Sequence, residues 1–482
     1  MYRKTEQQLK FDNFYLPFGG KLRKDNRWVQ LAETIPWDLF ETMYAKKFAS
    51  SGMGAPAKPV RMALGALIIK EKCGYSDEEL VEQIRENHYL QYFIGLPEYR
   101  DEVPFDPSMM VYFRKRFDAK TLQEINEIIC GVKPKEDSND SDQDKTPPDP
   151  SGKNNKGILI VDATCAPSDI RYPTDCSLLN EAREKLEAMI DDLYEPFKKE
   201  IVKPRTYRKK ARKDFLNFTK SKRPKPNAIQ RANGKQLHYV RRNLKTTDKL
   251  LVNNPDGLSD KQQNELEVIR KLYQQQKEMY DTKTHRVEDR IVSISQPYVR
   301  PIVRGKVTAD TEFGAKVAVS LVNGYAFVDK LSWDNFHEGV ELKDCIENHY
   351  QRFGFYPKVI AADQIYRNHD NFQICKQHGI HLSGPKLGRP PKKPDKKQRQ
   401  MERFYEQIRN TIEGKFGEGK RCYGLGRIMA RLKETSESVI MLQFLVMNLE
   451  QRLRVLLSRF FKVRFFINPN KVFQIKWIIL ES

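Results

Sequence analysis

The segment Lys358–Asn368, KVIAADQIYRN, is the most informative one about the fold. It begins with an unbroken apolar run, Val359 to Ala362, and then reaches a carboxylate, Asp363. A continuous apolar run is typical of a strand covered on both faces by helices, as in a parallel or mixed sheet. An acid after such a strand is often only a helix cap, but open α/β sheets carry their chemistry at the carboxyl ends of strands. Asp363 is therefore a candidate functional residue, provided that other acids join it.

A second predicted strand has the same ending. The sequence GILIVDATCAPSD indicates an apolar strand over residues 157–161, and Asp162 follows it directly. Because the carboxyl ends of parallel strands meet at one edge of a sheet, Asp162 is the first candidate companion of Asp363. Asp169 and Asp175 also follow this strand, but we interpret them as cap or turn residues.

A third acid lies on a predicted helix downstream. Helical periodicity over residues 401–413 brings Arg409 and Glu413 onto one face at i, i+4. Lys420 falls on the same face if the helix continues, although three glycines between residues 414 and 419 disfavour an unbroken helix. Taken alone, Arg409 and Glu413 predict only a weak surface ion pair.

The composition indicates an anionic partner. The chain has 482 residues, and its 85 Lys plus Arg against 64 Asp plus Glu give a net charge of +21. Such an excess points most often to nucleic acid and less often to a membrane surface. The seven cysteines are scattered and form no CxxC pair, so neither a zinc ribbon nor a disulfide framework is indicated, which fits a reducing cytoplasm. The N-terminus lacks the apolar core of a signal peptide, and charges interrupt the apolar C-terminal tail, so we expect a cytoplasmic protein without a spanning helix.

The N-terminal part, residues 27–131, is predicted to be mostly helical. One helix ends at Gly74, and the next begins at once with Ser76 and Glu79 set as a capping box. Two helices with a tight glycine turn and a basic third helix form the pattern of a helix-turn-helix DNA reader. An ordinary helical bundle has the same pattern, so both interpretations stay open. The candidate DNA-binding residues of the third helix are Arg114, Lys115 and Arg116.

Two further segments are basic or polar. Residues 132–156 have almost no apolar side chains and predict a disordered linker. Residues 203–245 hold 16 Lys plus Arg and one acid, with aromatics between them, which favours contact with the DNA backbone over a merely solvated helix face. Gly388-Arg389-Pro390 has the pattern of a minor-groove AT-hook, although a plain basic loop fits it too. The candidate DNA-binding residues of these segments are Lys209, Lys210, Arg212 and Arg389.

The remaining pattern completes a mixed α/β domain. Alternating residues on both sides of Asn323-Gly324 predict a β-hairpin with a tight turn. Helices are predicted over 178–202, 260–282, 338–353 and 367–378, followed by a short strand in GIHLSG.

With these acids in view, the sequence resembles the bacterial insertion-sequence transposases of the DDE class. The resemblance covers most of the chain and is carried by the N-terminal helices and by VDATCAPSDIRYPTD, RPIVRGK, EFGAKVAVS, AADQIYRN and SGPKLGRP. The family's signature near its last acid is Tyr, two residues, Arg, three residues, Glu, six residues, Lys. Arg409, Glu413 and Lys420 match it, whereas the tyrosine position holds Glu406, with Tyr405 one residue early.

The resemblance implies a fold and a division into domains. The expected fold is α/β, a ribonuclease-H-like mixed sheet flanked by helices, with a helical insertion and a separate all-α N-terminal domain. We expect a helical DNA-binding domain over 1–131, a linker over 132–156, a catalytic domain over 157–455 and a C-terminal tail over 456–482. The basic helical insertion is expected at about 178–290 of the catalytic domain.

It also implies a metal-dependent site. Asp162, Asp363 and Glu413 are the expected catalytic residues and ligands of Mg²⁺ (or Mn²⁺), with two ions and with Asp162 best placed to bridge them. Hard oxygen ligands suit Mg²⁺, and two ions can activate the nucleophile and stabilise the leaving oxygen of a phosphodiester. Arg409 and Lys420 are expected to contact DNA phosphate near the scissile bond.

The predicted function is transposition. The protein would bind the terminal inverted repeats of an insertion sequence, cut there and join the 3′-hydroxyls to target DNA. The expected partner is double-stranded DNA, held by a homodimer or larger assembly in the bacterial cytoplasm with the nucleoid, and no membrane is expected. Two alternatives stay open: a metal-dependent nuclease without strand transfer, and a non-catalytic DNA-binding protein derived from a transposase.

Overall fold

The structure is a computed structural model that describes residues 10, 14–16, 20–48, 56–132, 154–303, 311–384 and 396–462, without the side chains of 458–462. The predicted AT-hook residue Arg389, nearly all of the predicted linker and the tail beyond Lys462 lie outside these residues. Within them, no helix is long and apolar enough to cross a membrane.

In the described part of the N-terminal region the regular elements are helices, as predicted. Gly74 ends the third helix in the left-handed region, at φ 72°, and the Ser76 hydroxyl accepts the Glu79 N–H at 3.1 Å to begin the fourth. An additional short helix starts at Asn87, whose side chain accepts the N–H of Tyr89 at 2.9 Å. The seven helices are α1 (Arg27–Thr34), α2 (Trp37–Ala45), α3 (Val60–Cys73), α4 (Asp77–Glu86), α5 (His88–Phe93), α6 (Met109–Arg116) and α7 (Ala119–Ile129).

The next elements are the first strand and the helical insertion. The elements are β1 (Ile158–Pro167), α8 (Asp175–Tyr194), α9 (Arg208–Thr219), α10 (Pro226–Asn253) and α11 (Asp260–Thr282). The predicted helix over 260–282 is confirmed, whereas the helix predicted over 178–202 runs only from Asp175 to Tyr194, and two more helices lie between them. Three of the four helices, α8, α10 and α11, bury a hydrophobic core of their own that includes Leu179, Val240 and Ile269.

The sheet is mixed and ribonuclease-H-like, with helices on both faces. The strand order is β2-β3-β1-β5-β6, and β4 pairs with β3 beside β2. β1 is antiparallel to β3 and parallel to β5, which is parallel to β6. The remaining elements are β2 (Arg300–Val303), β3 (Thr311–Val322), β4 (Tyr325–Ser332), α12 (Leu342–Phe353), β5 (Val359–Ala362), α13 (His369–Gln377), β6 (His381–Leu382), α14 (Lys396–Cys422) and α15 (Lys433–Lys462).

The predicted hairpin is confirmed at the turn between β3 and β4. Asn323 and Gly324 both have positive φ, 51° and 84°. Two consecutive positive φ angles define the tight turn whose twist matches that of the strands it joins. Asn and Gly are the residues that adopt this conformation at least cost.

The predicted end of the first strand was wrong. β1 does not stop before Asp162 but continues to Pro167, because β3 pairs with it along that whole length. The parallel pairing with β5, however, ends at Val161 opposite Ala362. Asp162 and Asp363 are the next residues in that register, so they are neighbours at the same edge.

The expectation that glycines interrupt the last catalytic helix was also wrong. α14 runs unbroken from Lys396 to Cys422 and therefore carries Glu413 and Lys420 on one face. A Cβ at Gly419 would lie 3.0 Å from the Met447 sulfur on α15, so the missing side chain permits a close approach between α14 and α15. Packing gained there offsets the low helix propensity of glycine.

The hydrophobic core joins the N-terminal helices to the sheet. Leu67 and Phe93 belong to the same buried cluster as Leu445 of α15 and Val319 of β3. The opposite face of the sheet is covered by α12 and α13 in a separate cluster. The N-terminal helices thus share a core with the sheet, whereas the insertion has its own, and the predicted domain limits stay predictions.

Candidate active site

A cleft of about 780 Å³ opens where β1 and β5 end their parallel pairing, beside α14. All three predicted acids, Asp162, Asp363 and Glu413, line it. The two predicted phosphate-binding residues of α14, Arg409 and Lys420, line it as well. We call this site the carboxylate cleft. The fold therefore brings together residues that are up to 258 positions apart, Asp162 and Lys420 (420 − 162 = 258).

Asp162 occupies a largely buried position in the cleft, and its pKa is raised. It lies within β1, opposite Val319 of β3, and its Oδ1 accepts the N–H of Ala163 at 2.8 Å. Burial raises the pKa of Asp162 to about 6, and the charges of Glu338 and Asp363 contribute to the rise. Mutual repulsion of this kind is typical of acids gathered to hold a cation.

Asp363 serves as a cap and also faces the cleft. Its Oδ1 accepts the N–H of Gln364 at 2.7 Å and begins a short 3-10 helix, residues 364–366. The structural interpretation of Asp363 as a helix cap is therefore confirmed. It does not exclude a metal ligand, because a carboxylate has a second oxygen and spare lone pairs.

Glu413 lines the cleft from α14. Arg409 donates from Nη1 to its Oε1 at 3.1 Å, the predicted i, i+4 pair. The Glu413 side chain is 57% exposed, so this pair contributes little and leaves the carboxylate able to move. Lys420 Nζ lies 3.9 Å from Glu312 Oε1 on β3.

The acidic side chains of the cleft are of the kind that binds a divalent ion, but in this structure they are too far apart to bind one together. In the part of the chain that the structure describes, no three His, Cys, Asp or Glu side chains are close enough to hold a metal ion together. The three acids nevertheless share one cleft, and carboxylate oxygens are the ligands that Mg²⁺ prefers. A shared ion would require the exposed Glu413 side chain to leave Arg409 and turn toward the aspartates.

Sequence reasoning missed two charged residues of the cleft, Lys316 and Glu338. Lys316 Nζ lies 2.9 Å from Glu338 Oε1 and also donates to the carbonyl of Phe336 at 2.8 Å. A signal was present, since Lys316 interrupts the otherwise apolar β3 run AKVAV. A lysine within a buried strand needs a partner, and Glu338 is that partner.

The basic run of α6 is mostly occupied within the protein. Arg114 donates to both oxygens of Asp77 at 3.0 and 2.7 Å, and Arg116 donates to the Tyr44 hydroxyl at 3.2 Å. Lys115 alone is exposed. Of the three predicted DNA-binding residues, only Lys115 thus faces solvent without such contacts, although the DNA-binding role of the run remains a prediction.

The basic run of α9 has the opposite arrangement. Lys209, Lys210 and Arg212 are exposed, while Ala211 between them is fully buried within the insertion. The single acid of the segment, Asp214, is held by Lys235 at 3.0 Å. The predicted DNA-binding residues of α9 therefore lie together on one solvent-facing surface.

Comparison with known proteins agrees with these observations. The family model "Transposase DDE domain" matches residues 360–450, which include Asp363 and Glu413. The model "Transposase domain (DUF772)" matches residues 17–116, the region of helices α1 to α6. A Rhizobium meliloti protein, described as uncharacterized protein ORF8 in the nfe locus, is 31% identical over 158 residues, 33% of this chain and 70% of that protein. No solved structure matches the chain.

Proposed function

The chain belongs to the DDE transposases of insertion sequences and is a transposase enzyme, and we propose from that premise what its reaction is. It binds the terminal inverted repeats of its element, cleaves the DNA ends and joins the freed 3′-hydroxyls to target DNA by Mg²⁺-dependent transesterification. One observation carries the proposal: Asp162, Asp363 and Glu413 line a single cleft.

The chain's own residues divide the work between the sheet and the helix. Asp162 on β1 and Asp363 directly after β5 would bind the cation, and Glu413 would supply the third carboxylate from α14. When bound, two Mg²⁺ or Mn²⁺ ions supply activation of the attacking hydroxyl and stabilisation of the leaving 3′-oxygen. The strand β1 positions Asp162 and the turn after β5 positions Asp363, whereas the exposed glutamate adjusts to them.

Arg409 and Lys420 bind the substrate's phosphate. Both line the cleft on the same face of α14 as Glu413. In the free protein Arg409 neutralises Glu413. If Glu413 turned toward a bound cation, the guanidinium of Arg409 would be free to bind a phosphate oxygen, for which its planar fork is well suited.

DNA further from the cleft is held by the α9 surface, Lys209, Lys210 and Arg212. Exposed lysines and arginines bind the DNA backbone by displacing its condensed counterions, without regard to sequence. Because both element ends must be cut and joined together, we expect two or more copies of the chain on the DNA, a homodimer or a larger assembly.

The experiment uses a plasmid that carries the gene's own flanking sequences, incubated with the full-length protein and Mg²⁺. Cut and joined products are separated on a denaturing gel. We expect both products from the wild type and neither from Glu413→Gln or in EDTA. The matched control is Glu402→Gln, which makes the same change on α14 but outside the cleft, and it should behave as the wild type.

Other outcomes point to other functions. Cutting without joined products would identify a metal-dependent nuclease that uses the same acids. DNA binding without cutting, unchanged by Glu413→Gln, would leave a non-catalytic DNA-binding protein.

A further inference from the structure

The carboxylate cleft contains a fourth acid, Glu338. It lies on a 3-10 turn, residues 338–340, between β4 and α12, and it lines the cleft with Asp162 and Asp363. Its side chain is only 18% exposed and its partner Lys316 only 9%. A charged pair withdrawn this far from water is costly, so its position beside the three acids calls for a reason.

The turn that carries Glu338 is fixed against the turn that follows Asp363. The buried Asn371 amide donates to the carbonyl of Gly339 at 2.6 Å and to the carbonyl of Tyr366 at 2.8 Å. Gly339 has no room for a side chain, because a Cβ there would lie 2.5 Å from the Ile365 carbonyl oxygen. Glu338 and Asp363 are thus held on two turns that behave as one rigid support.

A buried phenol belongs to the same support, because Tyr366 ends the 3-10 turn that follows Asp363 and its carbonyl shares the Asn371 amide with Gly339. Tyr366 is fully buried, and its hydroxyl has no hydrogen-bond partner among the residues that the structure describes. Burial raises the pKa of Tyr366, and the charges of Glu338 and Asp162 raise it further. The phenol therefore stays protonated, and it is an unused donor near the carboxylates of Glu338, Asp162 and Asp329. Buried polar groups without partners are rare and often mark a functional site.

We propose that Glu338 is a fourth acidic group of the cation site, positioned by Lys316 on one side and by the Tyr366 hydroxyl on the other. The proposal rests on the proposed function and deepens it. In the free protein Lys316 compensates the charge of Glu338. With a divalent cation bound, Glu338 would help to hold it, and the Tyr366 hydroxyl would donate to Glu338 and fix its orientation. Hydrogen bonds of this kind orient metal-binding carboxylates in many sites.

The rival explanation is a purely structural ion pair, and the chain contains a matched example. Glu341, three residues further on, is also buried, and it pairs with Lys330 at 2.7 Å. Lys316 and Lys330 each lie 4.9 Å from the ring of Phe336. The two pairs have similar surroundings, but Glu341 does not line the carboxylate cleft.

The test measures Mn²⁺ binding to the full-length protein without DNA, by electron paramagnetic resonance of the free ion, together with thermal unfolding. We expect Glu338→Gln to weaken Mn²⁺ binding about 10- to 100-fold, the usual effect of losing a group that supports a metal site. Glu341→Gln should bind Mn²⁺ as the wild type does. Tyr366→Phe should weaken binding severalfold, although the metal-free variant unfolds at the wild-type temperature or higher, because it loses a hydroxyl that has no partner.

Equal Mn²⁺ affinity in Glu338→Gln and wild type, or an equal loss in Glu338→Gln and Glu341→Gln, would overturn the proposal. If Glu338→Gln does not fold, Tyr366→Phe decides, and unchanged affinity in that variant overturns it as well. Failure of the proposed function looks different. In that case the wild type itself binds no Mn²⁺, or Glu413→Gln leaves both Mn²⁺ binding and cleavage intact.

Discussion

Two short basic runs, one on α6 and one on α9, have nearly the same composition and opposite surroundings. On α6, Arg114 is only 17% exposed and is held by Asp77, which also lies 2.9 Å from Lys70. On α9, only the first residue is anchored in this way, since Arg208 donates to Asp191 at 2.9 Å. The charges that follow Arg208 are exposed.

A basic residue in the sequence is therefore not always available for binding DNA. Availability depends on whether the fold supplies a carboxylate or a ring within reach. Asp77 begins α4 and is directed at α6, whereas α9 has one acid, Asp214, which is already bound by Lys235 and Tyr239. We therefore expect the α6 run to contribute mainly to stability and the α9 run mainly to DNA binding.

The largest expected effect is on the α6 side. Arg114→Ala should lower the free energy of unfolding by about 2–3 kcal/mol, because it removes two charge-assisted hydrogen bonds and leaves the half-buried Asp77 with Lys70 alone. Urea denaturation of the purified protein measures this. Lys115→Ala, a neighbouring change at an exposed position, should stay within about 0.5 kcal/mol of the wild type. Equal losses in the two variants would break the comparison.

The next effect concerns the α9 side. Replacing Lys209, Lys210 and Arg212 together by Gln should reduce the slope of log affinity against log salt by about 3 and leave the stability unchanged. Fluorescence anisotropy with duplex DNA of several sequences measures the slope, and the loss should be similar for all of them.

The control for the α9 variant removes the same charge elsewhere in the insertion. Lys261, Lys271 and Lys277 on α11 are exposed, and their replacement by Gln should change the salt dependence much less. If both triple variants lower the slope equally, DNA binding reflects the net charge of the protein and not the α9 surface.

The smallest expected effect is a pH dependence of the stability, caused by Glu71 near the Arg114–Asp77 ion pair. Burial raises the pKa of Glu71 on α3 from 4.5 to about 7, partly opposed by a hydrogen bond from Gln443 on α15. A carboxyl group whose pKa is raised in the folded state contributes stability below its unfolded pKa and loses it as pH rises through the folded value. The wild type should therefore lose stability between about pH 4.5 and pH 8, where the charged form of Glu71 becomes dominant.

Glu71→Gln tests this assignment. Because the side chain is partly exposed, we expect a gain of only about 1 kcal/mol over the wild type at pH 8 and none at pH 4. Urea denaturation at the two pH values measures it. A gain of the same size at both would show that packing against Gln443, and not the charge of Glu71, is responsible.

The acids and basic residues that line the carboxylate cleft could largely be predicted from the sequence, because each belongs to a local sequence pattern. An apolar run that reaches an acid, as in VIAAD, is visible without any knowledge of the fold, and so is the spacing from Arg409 through Glu413 to Lys420. Glu338 was not accessible in this way. It follows no strand directly and has no motif around it, and only the pairing of its turn with the turn after Asp363 brings it into the cleft.

The ribonuclease-H-like class was implied by the resemblance to a known family. The sequence itself predicted most helix and strand positions, the Asn323-Gly324 turn and the three candidate acids. These features depend on periodicity, turn preferences and spacing, which act over a few residues. The tertiary structure alone decided that Asp162 and Asp363 are neighbours, that α14 passes unbroken through its glycines, and which basic residues face solvent. Those outcomes depend on strand register, on the close approach of α15 and on partners far away in the chain, since packing and charge pairing act between residues that only the fold brings together.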